Sequence, residues 1–300
     1  MHEPEHAPPL PDAKGLPPGA SGDCGAAGDS PGDFALTAAE RIRWAEEGFF
    51  LRHQALEGEA VRALAAAAEH GVALADWGVA TSRDRYRIDG HEYVDATLAG
   101  RKTTLQLEHL PESRTLRVIE PFHHLHLAFE KLVDDPRIVE PMRALVESER
   151  VALFTDKLNL KRPREGSSFQ WHQDSPYWAH FCQHLDRLPN VMLALDDAYL
   201  GNGCLHLVRG SHRAGRLPGR EGEGVLGPLF THPEHVDEAR VVPVEMPAGS
   251  LLFFSPHSVH GSPPNRSSRP RRALVLTYQP AGLRMFKADS VRDAGLPRSL

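Results

Sequence analysis

The sequence of 300 residues has few cysteines, no long apolar run and no excess of positive charge. Its three cysteines, Cys24, Cys182 and Cys204, are too few for a disulfide framework, and no CxxC pair predicts a zinc site. No apolar stretch reaches the roughly 18 residues of a membrane-spanning helix. The N-terminal residues lack an apolar core behind a basic head, which argues against a secretory signal. We therefore expect a reducing, cytoplasmic location and no membrane partner.

The charge balance excludes a further class of partner. Lys and Arg number 34 against 40 Asp and Glu, a formal net charge of −6. Nucleic-acid-binding domains are normally basic, so we expect no nucleic-acid partner. Hydrophobic residues make up 41% of the chain, as in an ordinary soluble globular protein, and a small molecule is the expected ligand. Histidine is abundant, with 18 residues, and it is the commonest transition-metal ligand among side chains.

Composition divides the chain into two parts. Residues 1–33 are rich in Pro, Gly, Ala and Asp, cannot bury enough apolar surface to offset their conformational entropy, and are predicted to be disordered. Residues 34–300 are predicted to form a single domain, with helical support over 34–150 and a β core over 150–280. Residues 213–240 form a Gly-, His- and Pro-rich insertion, and long loops of this kind often cover a site.

Helix signals dominate the first half of the chain. The capping-box spacing of Thr37 and Glu40 predicts a first helix. An alanine-rich second helix is expected to stop at Gly71, and a third helical stretch is expected to break near Pro136 and Pro141.

Short strands separated by turn residues replace the helices after residue 150. The predicted strands are 151–161, 168–174, 191–199, 204–208, 241–246, 250–254 and 271–278. Many short antiparallel strands after a helical half predict a mainly β fold with flanking helices, a double-stranded β-helix or jelly-roll barrel of the cupin-like kind.

Metal-ligand spacing is the first sign of function. Two histidines and one carboxylate suit non-haem Fe(II), and an HxD triplet on a strand points both side chains to one face. Three such triplets occur: residues 172–174, 184–186 and 235–237. Context favours His172 and Asp174, because the other two triplets lie in a turn and in the polar insertion. By spacing alone, a hydrogen-bonded His–Asp pair is an equal alternative, and the third ligand is either His257 or His260.

Basic side chains near these residues indicate an anionic co-substrate. An arginine that points into a dry barrel needs an anion, and its fork geometry suits a carboxylate; a solvated basic turn is the alternative for the run around Arg271. The strand 151–161 places Thr155, Lys157, Asn159 and Lys161 on one face, which either lines a cofactor pocket or faces solvent.

Three ordered segments, FQWHQDSPYW, NGCLHLVRGSH and PAGSLLFFSPHSVHGSPPNRSSRPRRALVLTY, resemble the phytanoyl-CoA dioxygenase family of Fe(II)/2-oxoglutarate-dependent oxygenases. The resemblance covers about residues 150–280 and implies His172, Asp174 and His260 as iron ligands. It favours His260 over His257 because the family's distal histidine precedes a Gly-Ser pair, here Gly261-Ser262.

The resemblance also implies residues for the two organic ligands. The positions implied for 2-oxoglutarate are Arg271, Ser262, Asn159, Lys157, Lys161 and Arg117. Candidate substrate contacts are Thr155, Tyr177, Trp178 and the insertion 213–240. The longer signature that follows HxD in ectoine hydroxylases is absent, so ectoine is not transferred as substrate. Halogenating relatives lack the carboxylate that Asp174 provides here, which favours hydroxylation.

Fe(II), 2-oxoglutarate and O2 are thus the implied cofactors. The implied reaction hydroxylates, or otherwise oxidises, an unactivated C–H bond of a small molecule and releases succinate and CO2. A role in natural-product or amino-acid-derivative biosynthesis is the expectation. The alternatives are a jelly-roll metal-binding protein without catalysis and a cupin metalloenzyme that does not use 2-oxoglutarate.

Overall fold

The computed structural model describes residues 34–109, 114–287 and 290–295, and the predicted disordered segment 1–33 lies outside them. Helix α1 (Ala38–Glu47) begins at the predicted capping box: the Glu40 amide donates to Thr37 Oγ1 (3.2 Å) and the Thr37 amide to Glu40 Oε2 (2.9 Å). It ends at Gly48, whose φ of 85° is accessible to glycine at little cost.

Helix α2 (Gly58–Thr81) continues past Gly71, so the predicted stop there is wrong. Gly71 lies against Leu125 and Phe129, where an added Cβ would be 3.6 Å from the nearest atom. At Gly78 an added Cβ would lie 3.1 Å from the Ala96 Cβ. These glycines let the helix pack closely on its neighbours, and packing keeps the helix intact despite their low helix propensity.

The predicted break near Pro136 is confirmed, because α3 (Leu127–Val133) and α4 (Pro136–Val146) are separate helices. The Asp135 carboxylate caps α4 by accepting from the Arg137 amide at 2.9 Å. The predicted break near Pro141 is wrong, since Pro141 lies inside α4. Burial of the apolar face that Pro141 shares with Ile138 offsets the hydrogen bond that proline cannot donate.

Two antiparallel sheets form the barrel. The strands are β1 (Phe49–Arg52), β2 (Asp84–Ile88), β3 (His91–Leu98), β4 (Arg101–Leu107), β5 (Leu116–Glu120), β6 (Val151–Lys161), β7 (Phe169–His172), β8 (Asn190–Ala194), β9 (Leu205–Val208), β10 (Val241–Val244), β11 (Leu251–Phe254), β12 (His260–Ser262), β13 (Arg271–Pro280) and β14 (Asp293–Ala294). The larger sheet has the order β1-β11-β8-β13-β6-β5-β4-β3-β2, with β14 beside β6, and the smaller has the order β10-β9-β12-β7. This is the predicted mainly β architecture.

Alternation along the strands gives the larger sheet two buried faces. Phe253 and Leu193 point to the helices, whereas Phe254 and Met192 point to the smaller sheet and pack with its Leu207. The functional face is therefore the inside of the barrel. Among the described residues, no helix is both long and apolar enough to cross a membrane.

Candidate metal centre

The predicted metal ligands come from two neighbouring strands of the smaller sheet. His172 ends β7 and is the register partner of His260, the first residue of β12. The predicted strand 168–174 ends early, because Pro176 opens the short helix α5 (Ser175–Trp178). Asp174 therefore sits at the start of a helix, and the turn carries its carboxylate toward the two histidines.

The three side chains have the geometry of a metal site. One ligand atom from each of His172, Asp174 and His260 lies within 4.8 Å of the others, and among the described residues this is the only such cluster. Nδ1 of His172 lies 2.7 Å from the Gln170 carbonyl oxygen, and Nδ1 of His260 lies 2.9 Å from that of Ser258. Each Nδ1–H then has an acceptor, which leaves both Nε2 atoms for a metal.

The electrostatics of the cluster also fit a metal. Burial, with His260 nearby, lowers the pKa of His172 to about 3, so the imidazole is neutral and ready to coordinate. The Asn190 amide donates to Asp174 Oδ2 at 2.9 Å and orients that carboxylate. Two histidines and one carboxylate in a buried triad fit the donor set that non-haem Fe(II) prefers, and Fe(II) is the group these residues would hold.

The competing histidines are engaged elsewhere. His257 contacts Ser175 Oγ through Nδ1 (2.9 Å) and Asp186 Oδ1 through Nε2 (2.8 Å). His184 contacts the side chain of Gln279 at 3.2 Å and Asp186 contacts His257, and neither belongs to the ligand cluster found among the described residues. The strand pattern does not distinguish His257 from His260 as the third ligand, but their hydrogen bonds do.

A buried arginine lies in the same cavity. Arg271, which is 3% exposed, donates from Nε and Nη2 to the Gly203 carbonyl oxygen at 3.1 and 2.9 Å. No carboxylate lies within ion-pairing distance of it among the described residues. Burial lowers the pKa of Arg271 to about 10, and it stays charged at neutral pH. Ser262 Oγ is also buried and has no hydrogen-bond partner among the residues that the structure describes, so both groups fit the carboxylate of a diacid.

Comparison with known proteins agrees with this geometry. The model of the phytanoyl-CoA dioxygenase family matches residues 44–273. The chain belongs to this family. The prediction of the family and of its jelly-roll fold is confirmed.

Named relatives of the phytanoyl-CoA dioxygenase family include small-molecule oxygenases. The chain is 33% identical to the methylphosphonate hydroxylase of Gimesia maris over 51% of this chain and 54% of that protein. It is 26% identical to the ectoine dioxygenase of Halomonas elongata over 82% of this chain and 70% of that one. The crystal structure of EctD from S. alaskensis with 2-oxoglutarate and 5-hydroxyectoine has a TM-score of 0.64 at 21% identity, covering 86% of this chain and 81% of that chain, and supports the fold.

Four further predicted cofactor residues surround this site. Asn159 and Lys157 line the cavity, on the face of β6 that the alternation predicts. Lys161 is buried behind it, with Nζ on the carbonyl oxygens of Ser262 and Pro263, and burial together with Arg271 lowers its pKa. Arg117 also lines the cavity.

The environment of Arg117 is an ion pair over an aromatic ring. Its guanidinium lies 3.4 Å from Glu108 Oε2 and 3.7 Å from the ring centroid of Phe169. It also donates to the Ser168 carbonyl oxygen at 2.7 Å. Unlike Arg271, Arg117 has a carboxylate of its own to neutralise it.

The cavity has a volume of about 400 Å³. Of the predicted substrate contacts, Tyr177 and Trp178 line it, as do Leu226 and Phe230 of the insertion. Thr155 does not line it, because its hydroxyl donates inside the wall to Glu120 Oε1 at 3.0 Å.

The sequence reasoning missed much of the cavity wall. The missed lining residues include Tyr86, His91, Tyr93, Gln106, His109, Glu120, Phe286 and Lys287. Most belong to strands β2–β5, which lie within the segment 34–150 that the sequence predicts to be helical support. A period-two signal is present there: Val94, Ala96 and Leu98 of β3 are buried in alternation, which places the residues between them on the other face.

Proposed function

We propose that this protein is an Fe(II)- and 2-oxoglutarate-dependent dioxygenase that hydroxylates an unactivated C–H bond of a small molecule. The supporting observation is the triad of His172, Asp174 and His260 in one cavity with Arg271, a buried cation that has no carboxylate partner within the described part of the chain. Bound iron and 2-oxoglutarate supply the oxidising power: O2 is consumed, one oxygen atom enters the substrate, and succinate and CO2 leave.

The residues bind, orient and shield the reactants. Arg271 and Ser262 would hold the far carboxylate of 2-oxoglutarate, since both are buried and directed into the cavity. Asn159 would contact the co-substrate directly, and Lys161 would hold Ser262 in place from behind by donating to the carbonyl oxygens of Ser262 and Pro263. The co-substrate contacts of Lys157 and Arg117 stay predictions.

Phe230, with the rest of the insertion 213–240, and Tyr177 would exclude water above the metal. We further propose that residues 34–300 act as one catalytic domain in the cytoplasm. Oxidation of a natural product or an amino-acid derivative is the setting we infer.

A binding experiment on purified protein tests the function before a substrate is known. Anaerobic calorimetry of the Fe(II)-loaded protein should give binding of 2-oxoglutarate, and Arg271→Ala should weaken it by about tenfold or more. Arg269→Ala is the matched control, because Arg269 lies two residues away on the same segment and is exposed.

Both alternatives predict a result that differs from that of the dioxygenase. A metal-binding protein without catalysis, or a metalloenzyme that does not use 2-oxoglutarate, would bind iron through the triad but would not bind 2-oxoglutarate in an Arg271-dependent way. Succinate release with O2 consumption, screened over candidate small molecules, then identifies turnover.

A further inference from the structure

The cavity extends along the larger sheet from β6 to the β2–β3 hairpin. A row of register partners, one from each of these five strands, lines it: Asn159, Val118, Gln106, Tyr93 and Tyr86. Neighbouring strands lie about 4.8 Å apart, so the four steps from β6 to β2 cover about 19 Å along the sheet. The metal ligand His260 lies on the other side of β6, with its ring centroid 5.1 Å from that of Phe254 on β11. The hairpin end of the cavity is therefore separate from the metal centre.

Among the described residues, the lining at the hairpin end carries no net charge. Burial and the nearby Arg117 lower the pKa of His91, and burial lowers the pKa of His109 to about 2, so both imidazoles are neutral at neutral pH. The guanidinium of Arg117 is itself balanced by Glu108. An ionic group of a ligand would lose water here without gaining a counter-charge, which costs free energy. This end of the cavity therefore favours an uncharged group.

His91 offers a hydrogen bond that the protein itself does not use. Its Nδ1 is buried and has no hydrogen-bond partner within the described ranges, and its side chain lines the cavity. In either tautomer of the neutral ring, Nδ1 acts as a donor or as an acceptor. A buried polar atom without a partner costs free energy, and a ligand that supplies the partner removes that cost. We therefore expect a ligand to form a hydrogen bond at this atom.

Aromatic and aliphatic surfaces lie in the same part of the cavity. The rings of Tyr86 and Tyr93 are stacked, with centroids 5.3 Å apart and planes within 8° of each other. Leu226 and Phe230 approach from the insertion, and the amide of Leu226 donates to Asp89 at the hairpin tip. Tyr86 is 37% exposed, so the row ends at the surface of the protein. Such surfaces suit a planar ring, which buries a large apolar area against them.

We propose that strands β2–β4 form a second subsite of the cavity, which binds an uncharged aromatic ring of the substrate, and that His91 forms a hydrogen bond with a hydroxyl or amide group on that ring. The carbon to be oxidised would lie at the metal and the ring at the hairpin, so the substrate is an elongated molecule. The cavity volume of about 400 Å³ is in the range of pockets for ligands of this kind. His91 is then a specificity-determining residue. This proposal rests on the proposed dioxygenase function.

Ligand-observed NMR tests the subsite on the Fe(II)-loaded protein, saturated with 2-oxoglutarate and kept anaerobic. The probe is 4-methylphenol, an uncharged ring with one hydroxyl group, and we expect a Kd of about 1 mM for a molecule of this size. Toluene lacks the hydroxyl group, 4-methylcyclohexanol lacks the planar ring, and 4-hydroxybenzoate adds a charge. Each of these three should bind about fivefold more weakly or worse.

Substitutions at the hairpin end locate the bound probe. His91→Phe keeps a ring but removes the hydrogen-bonding atom, and it should weaken binding of 4-methylphenol about fivefold or more. Tyr93→Leu should weaken it by a similar factor because the aromatic contact is lost. His91→Asn should retain binding, since its amide keeps a hydrogen-bonding atom near the position of Nδ1. His53→Phe is the matched control, because His53 is exposed directly after β1.

Iron content and the Kd of 2-oxoglutarate should stay within about twofold of wild type in every variant, which shows that each variant folds. Two results would overturn the subsite: wild-type protein that does not bind 4-methylphenol, or a His91→Phe variant that binds it as tightly as wild type. Failure of the dioxygenase function is a different result, because the wild type would then not bind 2-oxoglutarate. The titration with 4-methylphenol decides the subsite in that case too.

Discussion

Two histidines three positions apart, His257 and His260, take different roles because of their hydrogen-bond partners. His257 uses both ring nitrogens, on Ser175 and Asp186, and has none left for a metal. His260 uses only Nδ1, on a carbonyl oxygen, and keeps Nε2. The strand pattern does not distinguish these residues, whereas their hydrogen bonds and the family resemblance both select His260.

Metal content should therefore respond to only one of these two histidines. His260→Ala is expected to lower the iron bound by the purified protein to a small fraction of one equivalent, because it removes one of three ligands. His257→Ala should keep close to the wild-type iron content. Elemental analysis after loading and desalting measures both, and loss of iron from His257→Ala alone would contradict the assignment.

Asp156 is a buried residue with a predictable effect on acid stability. Burial acts to raise its pKa, but His123, whose Nδ1 lies 2.7 Å away, and the amides of Phe122 and His123 lower it overall. A carboxyl whose pKa is lower in the folded state stabilises the fold above its unfolded pKa of about 3.9. That stabilisation decreases as the pH falls through the lower pKa that Asp156 has in the folded state.

Asp156→Asn should thus cost about 3 kcal/mol of unfolding free energy near neutral pH, because it removes the charge of a buried carboxylate that contacts His123 and two backbone amides. The difference from wild type should shrink as the pH falls below about 4. Urea unfolding at a series of pH values measures it. A difference independent of pH would show that the Asp156 charge does not contribute.

At the scale of elements, glycine has two uses that the sequence alone does not separate. Gly48 ends α1, whereas Gly71 and Gly78 lie within α2 where it packs on α3 and β3. The sequence pattern predicts that α2 stops at Gly71, because glycine often ends a helix. The packing of Leu125 against Gly71, which explains the glycine there, cannot be read from the sequence.

The same substitution at two glycines should give different results. Gly71→Ala is expected to stabilise the protein by up to about 1 kcal/mol, because the new Cβ has ordinary contacts and alanine is the better helix former. Gly78→Ala should lose this gain, since its Cβ would be 3.1 Å from both the Ala96 Cβ and Leu98 Cδ2. Thermal unfolding of the two variants tests the packing, and equal stabilisation would contradict it.

The strands that carry the metal and co-substrate residues were predictable, and the wall opposite them was not. Strand 151–161 has the predicted bounds, and the alternation on β6 places Lys157 and Asn159 in the cavity. Glu120 and Lys287, in contrast, are far apart in the chain and meet only through folding. No local spacing signals such a pair, so the sequence predicts the candidate metal centre better than the cavity wall opposite it.

At the scale of the whole molecule, the insertion and the β2–β3 hairpin meet beside the cavity. Asp89, at the tip of the hairpin, accepts a hydrogen bond from the Leu226 amide at 2.6 Å. Hydrogen bonds from the Leu226 and Val225 amides lower the pKa of Asp89. The side chain of Leu226 lines the cavity, so this contact holds part of its wall in place.

Removing the contact should loosen the insertion without affecting the metal. Asp89→Ala is expected to speed amide hydrogen exchange around residues 224–226, measured by mass spectrometry, because the amide of Leu226 loses its acceptor. Iron content should match wild type, since Asp89 is not a ligand. Unchanged exchange in this segment would show that other contacts hold it.

The cavity is lined partly by strands of the barrel and partly by a loop and a hairpin. This has a consequence for the evolution and engineering of the protein. The candidate metal ligands and Arg271 belong to, or directly follow, strands β7, β12 and β13 of the barrel, whereas Leu226 and Phe230 belong to a loop and Tyr86 to the hairpin strand β2. Loops tolerate substitution better than the elements that they connect. New specificities can therefore be selected by mutating the hairpin and the insertion while the chemistry is inherited unchanged.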